Sequence, residues 1–531
     1  MMNLKTYLST AAALAMLAVP ASAETFKYAY QGDAQGLDPH SLNETFTLGM
    51  LGNVYEGLTK YNENLQLQPA LATSWKSTSP TTWEISLRKG VKFHNGNDFN
   101  ADDVIFSWQR TLTDGSDQKV RGGMITGIEK IDDHNITMTT NGPLPIIMQE
   151  LTFLYIMDKE WSETNGAAES GNVKNANDPG YATSNSNGTG PFQIVERQPG
   201  VRTIMERFGG YWDTDIATNV TRVEFTPVKE AATRVAALIS GQLDMVYPVP
   251  VQDWSRLDEA EGVRPLAGPE ARTIFLGMDQ SRDELLHSSV KGKNPFKDIR
   301  VRQAFAHAIN LDAIDQKVMR GAATPTGLMV APQINGFASA MNTPYAYDPE
   351  KSKALLAEAG YGDGFTVTMD CPNNRYVNDE KICQAVTSLM AKVGITVDLL
   401  AQPKAKYFGK VLAQGGYDTS FYLLGWTPGS IDAHNVFQNL LSCQNEEEKL
   451  GAFNLGNYCN ARVTEISNLI GSETDQVKRQ ALIEEGFKLV QDEVGYLPLH
   501  QQPLSWGASD NVTLSQRADN VLDIRNVVIG K

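Results

Sequence analysis

The sequence predicts an α/β protein, and three observations carry that prediction. The first is a β-α-β order in the third quarter of the chain. Phe365, Val367 and Met369 alternate as a strand. Ile382, Val386, Leu389, Met390 and Val393 then recur at helical spacing until Gly394, and residues 395–400 read as a second strand. The second is that capped amphipathic helices and short apolar strands succeed one another elsewhere, with no internal repeat or low-complexity tract. The third is length: 531 residues suffice for two or three domains with filled cores.

The chain opens on an export signal. Lys5 gives a basic start, residues 11–19 are apolar, and Ala21-Ser22-Ala23 has the small-x-small form of a cleavage site. Residues 1–23 therefore read as a signal peptide cut near Ala23/Glu24, too short for a comfortable membrane span. An uncleaved anchor is the alternative. No cysteine lies near the cut, so lipid attachment is not expected, and the mature protein should be a soluble periplasmic monomer. Removing one lysine and no acid takes the formal net charge from −16 to −17. So acidic a surface argues against nucleic acid and anionic lipid as partners.

Residues 26–30 alternate as a strand and lead to Asp38-Pro39-His40; His40 reads as a structural loop residue. A helix is expected over 47–58, ending in Tyr55-Glu56-Gly57-Leu58, with Glu56 solvated or facing a ligand. Trp83, Ile85 and Leu87 form a half-buried strand, and Val91 and Phe93 repeat the alternation after Lys89-Gly90. Asn100 can cap the next helix, with Asp103 at its third position and Val104 and Trp108 on one face. Asp132-Asp133 marks a turn before a strand to Thr140. Residues 165–187 are rich in Asn, Gly, Ser and Ala, which predicts a long surface loop. Gly188-Thr189-Gly190-Pro191-Phe192 follows; as a phosphate cradle it fails, because no Lys-Ser/Thr pair follows. An amphipathic helix spans 231–239 and stops at Gly241. Ala304, Phe305, Ala308 and Ile309 share another helix face, and Asp348-Pro349 starts a third helix that Gly360 ends.

These phrases together resemble family 5 of the extracytoplasmic solute-binding proteins of ABC importers, the peptide- and nickel-binding group. The resemblance rests on Pro-x-Leu-Ala-x-x-Trp at 69–75, Leu-Arg-x-Gly-Val-x-Phe-His-x-Gly at 87–96 and Ala-Asp-Asp-Val-x-Phe-Ser at 101–107. Gly188-Thr189-Gly190-Pro191, Arg300-Val301-Arg302-Gln303-Ala304 and Asp348-Pro349 extend it over nearly the whole mature chain. One departure is the missing Asn before Tyr211-Trp212. The resemblance implies a type II periplasmic-binding-protein fold of two lobes with an extra inserted domain. It places a discontinuous first lobe at 24–58, 188–272 and 500–531, the insertion at 59–187 and the second lobe at 273–499. It also implies membrane permease subunits as partners and no cofactor.

If the strands of the third quarter form a parallel sheet, ligands belong beyond their carboxyl ends. Two loops leave those ends. The first offers Arg375 and Tyr376, a guanidinium and a phenol suited to a carboxylate and an apolar group; alternatively Arg375 pairs with Asp370 or Asp379 and only holds the loop. The second offers Trp426, Thr427, Gly429 and Asp432, with His434 beyond, and family members place a Trp there beside the ligand. In the family's peptide-binding members an Asp three residues after this Trp holds the peptide's ammonium group; here that residue is Gly429. Either Asp432 substitutes, or the solute lacks a free α-amine there. Losing one partner of a buried charge pair costs about 2–5 kcal/mol.

The four cysteines fall into two close sets, Cys371 with Cys383 and Cys443 with Cys459, expected as disulfides in an exported chain. The second pair agrees with the family's dipeptide-binding branch. Neither set has metal-site spacing. The expected function is capture of a small solute, foremost a di- or oligopeptide, with an opine, oligosaccharide or nickel chelate as the alternative. An exported hydrolase is the competing class, but Gly-x-Ser-x-Gly and His-Glu-x-x-His are absent and the seven histidines are scattered.

Overall fold

The computed structural model describes residues 24–172, 180–447 and 450–530. The signal-peptide reading lies outside the described residues, as does part of the 165–187 segment.

Two parallel strand sets face each other through a shared sheet of eleven strands. In one, Thr366–Pro372 runs parallel to both Thr396–Gln402 and Phe421–Trp426. The helix Asp379–Ala391 makes the crossover, burying Ile382, Val386, Leu389 and Met390. Gly394, at φ 90°, turns the chain back. In the other set, Glu24–Tyr30 runs parallel to Val220–Pro227 and Met245–Tyr247. The two sets are the two lobes of the fold.

Two long strands, Val263–Met278 and Leu497–Ser509, pair antiparallel and carry the sheet from one lobe to the other. Pairing runs to Pro269↔Pro503 and resumes at Thr273↔Gln501, so Glu270, Ala271 and Arg272 face Gln502 alone. This bulge lies midway between the lobes. Bulges bend a strand and re-aim its side chains, and in this one Glu270 is buried against Arg272.

A separate four-stranded antiparallel sheet is built from Ala72–Ser79, Thr82–Leu87, Asn135–Thr140 and Ile125–Asp132. Ile85, Leu87, Ile136 and Met138 pack its core with Val91, Phe93 and Val104. The helix Ala101–Thr111 covers it and starts on the expected capping box: Asn100 Oδ1 accepts from the Asp102 amide and Asp103 accepts from the Asn100 amide. Val91 and Phe93 are buried as their alternation requires, but only an isolated bridge, Lys92↔Asp98, forms there.

Three expectations need correction. The helix expected over 47–58 is Thr45–Leu51. Asn53 ends it, because its side chain donates to the Leu522 carbonyl at 3.1 Å and accepts from the Ile524 amide at 2.9 Å. The segment 165–187 is not simply a surface loop, for Ala167, Ala182 and Asn187 are buried. It covers the fully buried Arg110–Asp38 ion pair: the Ala167 and Glu169 carbonyls accept from Arg110, and the Gly171 amide donates to Asp38. Glu56 is buried rather than solvated. It accepts hydrogen bonds from Thr189, Tyr211 and Trp212 at 2.8–3.0 Å. His40 is structural as expected, bonding the Tyr155 carbonyl and Arg110.

Candidate functional site

Tyr30 and Tyr247 end strands of the first lobe, and Trp426 ends one of the second; the parallel pairing places these ends where a ligand crevice belongs. On the first lobe Tyr30 stacks on Phe46 at 4.0 Å and packs against Tyr247, which in turn meets Trp506. On the second lobe the loop after Pro372 is shaped by Asp379, whose carboxylate accepts from the Arg375 and Tyr376 amides at 2.8 and 3.0 Å. Asp379 therefore holds the loop through its backbone and leaves the Arg375 side chain outside that contact. Asp370 pairs with Lys410 instead. Neither expected acid holds the guanidinium.

Tyr376 joins the two candidate loops. Its ring is buried and its hydroxyl donates to the Gly425 carbonyl at 3.2 Å, one residue before Trp426. A Cβ on Gly425 would lie 2.8 Å from the Tyr376 ring and 2.6 Å from Ile274, so only glycine permits this approach. The guanidinium carbons of Arg375 and Arg272 lie 5.0 and 5.9 Å from the same ring, within cation–π range.

Arg272, Glu270 and Gln502 had no motif to announce them. Arg272 pairs with Glu270 at 3.1 Å, Gln502 donates to Glu270, and Gln502 accepts from the Val377 amide at 3.1 Å. The bulge is thus wired to the Arg375 loop. Arg375 is exposed to cleft solvent, yet desolvation by the walls and then the Arg272 charge hold its guanidinium below its ordinary value, with Glu270 and Tyr30 within electrostatic reach. Across the cleft, Gln252 donates to Asn378 Oδ1 at 2.8 Å. Asn378 adopts a left-handed φ of 56° and also donates to the Val318 carbonyl.

The second loop divides. Trp426 lies against Phe453 at 4.7 Å, and its indole N–H donates to Asn435 at 2.9 Å. Thr427 Oγ1 is buried without a hydrogen-bond partner. Gly429 is exposed, and a Cβ there would meet nothing within 4 Å. Asp432 is a correction. It is fully buried, makes a two-pronged ion pair with Arg479 at 2.7 and 3.0 Å, accepts from Asn335 and caps the helix Ala433–Val436. A carboxylate so committed does not replace the acid missing at Gly429. His434, behind it, is pushed down to about 4 by burial.

Both cysteine pairs are disulfides, Cys371–Cys383 and Cys443–Cys459. The first ties the candidate loop to its crossover helix. Among the described residues no group of three or more His, Cys, Asp or Glu could hold a metal ion. A cavity with about 480 Å³ of empty space lies elsewhere, lined by Glu56, Lys60, Arg517 and Arg525 among others. Its charges answer one another, Arg525 with Asp523 and Lys60 with Asp213, which marks it as a gap at a packed charged interface.

Such an arrangement, two lobes joined by crossing strands with side chains from both facing a cleft, defines a two-lobed periplasmic binding protein. The chain belongs to the bacterial extracellular solute-binding proteins, family 5, whose family description matches residues 66–448. It is 27% identical over 509 residues to the dipeptide-binding protein of Escherichia coli (strain K12), covering 90% of this chain and 89% of that one. Among solved structures, the periplasmic binding protein DppA from Helicobacter pylori in complex with the peptide STSA superposes with a TM-score of 0.75 at 22% identity, over 96% of this chain and 98% of that one. The binding protein AgaA in complex with agropinic acid, from A. tumefaciens R10, gives 0.73 at 21% identity, over 95% and 99%. The chain is a solute-binding component of an ABC importer, not an enzyme. No helix among the described residues is long and apolar enough to cross a membrane.

Proposed function

We propose that the protein captures a di- or oligopeptide-like solute between its lobes, at Arg375, Tyr376, Trp426 and Thr427, and presents the closed form to permease subunits in the membrane. The observation that carries this reading is the convergence of the Arg375 and Trp426 loops on one buried tyrosine at the strand ends. Closure then follows from ligand contacts made by both lobes, which a ligand favours only by binding the closed state better. The relatives support a peptide: the E. coli relative is a dipeptide-binding protein. Export through cleavage near Ala23, a monomeric state and the division at residues 59, 188, 273 and 500 belong to the same proposal.

Thermal shifts with peptides, opines, oligosaccharides and metal chelates test it. A solute at a hundred times its dissociation constant adds about 2.7 kcal/mol of stability. Trp426→Ala should abolish that gain. A variant that binds as tightly as the parent would remove Trp426 from the site.

A further inference from the structure

We propose that the solute is an acid without a free amine: it offers a carboxylate to Arg375 and a neutral polar group to the space beside Gly429. This rests on the solute-binding reading above and deepens it.

The carboxylates around the cleft carry the argument. Glu270 is taken by Arg272 and Gln502. Glu44 caps its own helix, accepting from the Phe46 and Thr47 amides and the Thr47 hydroxyl. Asp379 is taken by the amides of its own loop, and Asp432 by Arg479. Arg375, by contrast, has no ion-pair partner among the described residues; its guanidinium lies over Tyr376 and is open to the cleft. The unanswered charge of the site is therefore positive.

At the opposite end Glu150 comes up to Ser430 and Asp432, and it is taken by Arg121 at 3.5 Å. Space beside Gly429 is open, so nothing in the fold excludes an acid from that position; the residue is simply absent. Three buried hydroxyl oxygens of this region lack a hydrogen-bond partner: Thr427 Oγ1, Ser430 Oγ and Oγ1 of Thr273, the residue paired in register with Trp426. Hydroxyls serve an amide or a hydroxyl of the solute well. An ammonium drawn out of water needs an anion, and no carboxylate of the cleft is released to meet it.

Three probes read the charge rule directly: N-acetyl-dialanine, dialanine and dialaninamide, titrated by calorimetry into the mature chain. The acetylated acid should bind at least about tenfold tighter than either of the others. Arg375→Gln should erase its advantage, while Gly429→Asp, which meets no neighbour, should raise dialanine affinity by about tenfold or more. Dialanine binding as tightly as its acetyl derivative, or an Arg375→Gln variant with unchanged preference, overturns the inference. If none of the three binds, the molecule released on denaturing freshly purified protein decides by mass spectrometry. An amine-free acid upholds the inference, and an amine or a neutral solute overturns it while leaving solute binding intact. No retained solute, with no response to any probe, sugar or chelate, overturns the solute-binding reading and this inference with it.

Discussion

At the scale of residues, the acids divide by whether a cation already owns them. Asp432 is paired with Arg479, both nearly without exposure, and also accepts from Asn335 and the His434 amide. Removing one member of a buried pair leaves the other uncompensated, so Asp432→Asn should destabilise the protein by about 3–5 kcal/mol. Chemical denaturation measures it, and a loss below about 1 kcal/mol would show that Arg479 finds another partner. Gly425 invites a different test. A methyl there lies 2.6–2.8 Å from Ile274 and Tyr376, so Gly425→Ala must displace the ring beneath Arg375. Solute affinity should fall while the far sheet, read by hydrogen exchange, stays protected. Equal affinity would mean that Tyr376 does not position the loop.

At the scale of elements, legibility followed periodicity and capping. The crossover helix, its flanking strands and the Asn100–Asp103 box were all readable, because alternation, helical spacing and caps are local properties. The Arg375 and Trp426 loops were readable as strand exits. What was not readable depends on chain segments far apart in sequence. Asn53 ends its helix because the C-terminal segment recruits it, and Asp432 is removed from the site by a helix that follows it. Glu270 and Arg272 come beside the Arg375 loop only through a bulge opposite Gln502, which pairing register creates and composition cannot show. The bond from Gln252 to Asn378 likewise joins residues 126 apart in the chain. A neutral hydrogen bond contributes about 0.5–1.5 kcal/mol, so Gln252→Ala should weaken solute binding up to about tenfold without changing the melting temperature of the solute-free protein. Unaltered affinity would sink its role as a closing contact.

At the scale of the whole molecule, acid should weaken the fold. Burial pushes His40, His94, His434 and His500 down to about 4. Between their ordinary value of 6.5 and 4 the unfolded chain takes up these protons and the folded chain does not. Stability is therefore lost as pH falls through that window, by up to about 1.4 kcal/mol per pH unit for each histidine. Asp103, raised to about 6, and the raised carboxyl of Glu150 act in the opposite sense, since the folded chain holds their protons longer. Burial raises the carboxyls of Asp244 and Asp379 as well, in the same sense as Asp103. Between pH 7 and 5 the four histidines outweigh Asp103, so the melting temperature at pH 5 should lie below that at pH 7. An equal or higher value at pH 5 would contradict it.

The strand Leu497–Ser509 sits between Val263–Met278 and Met245–Tyr247 in the middle of the sheet, and it is buried almost throughout. It also follows both of its neighbours in the chain by a long interval. A chain emerging from the ribosome therefore lacks this central strand long after both neighbours have appeared, and pairing of such sequence-distant strands is intrinsically slow. Truncation before residue 497 should yield a product cut rapidly by protease in both lobes; a resistant fragment of residues 24–262 would show that the first lobe closes without its last strand.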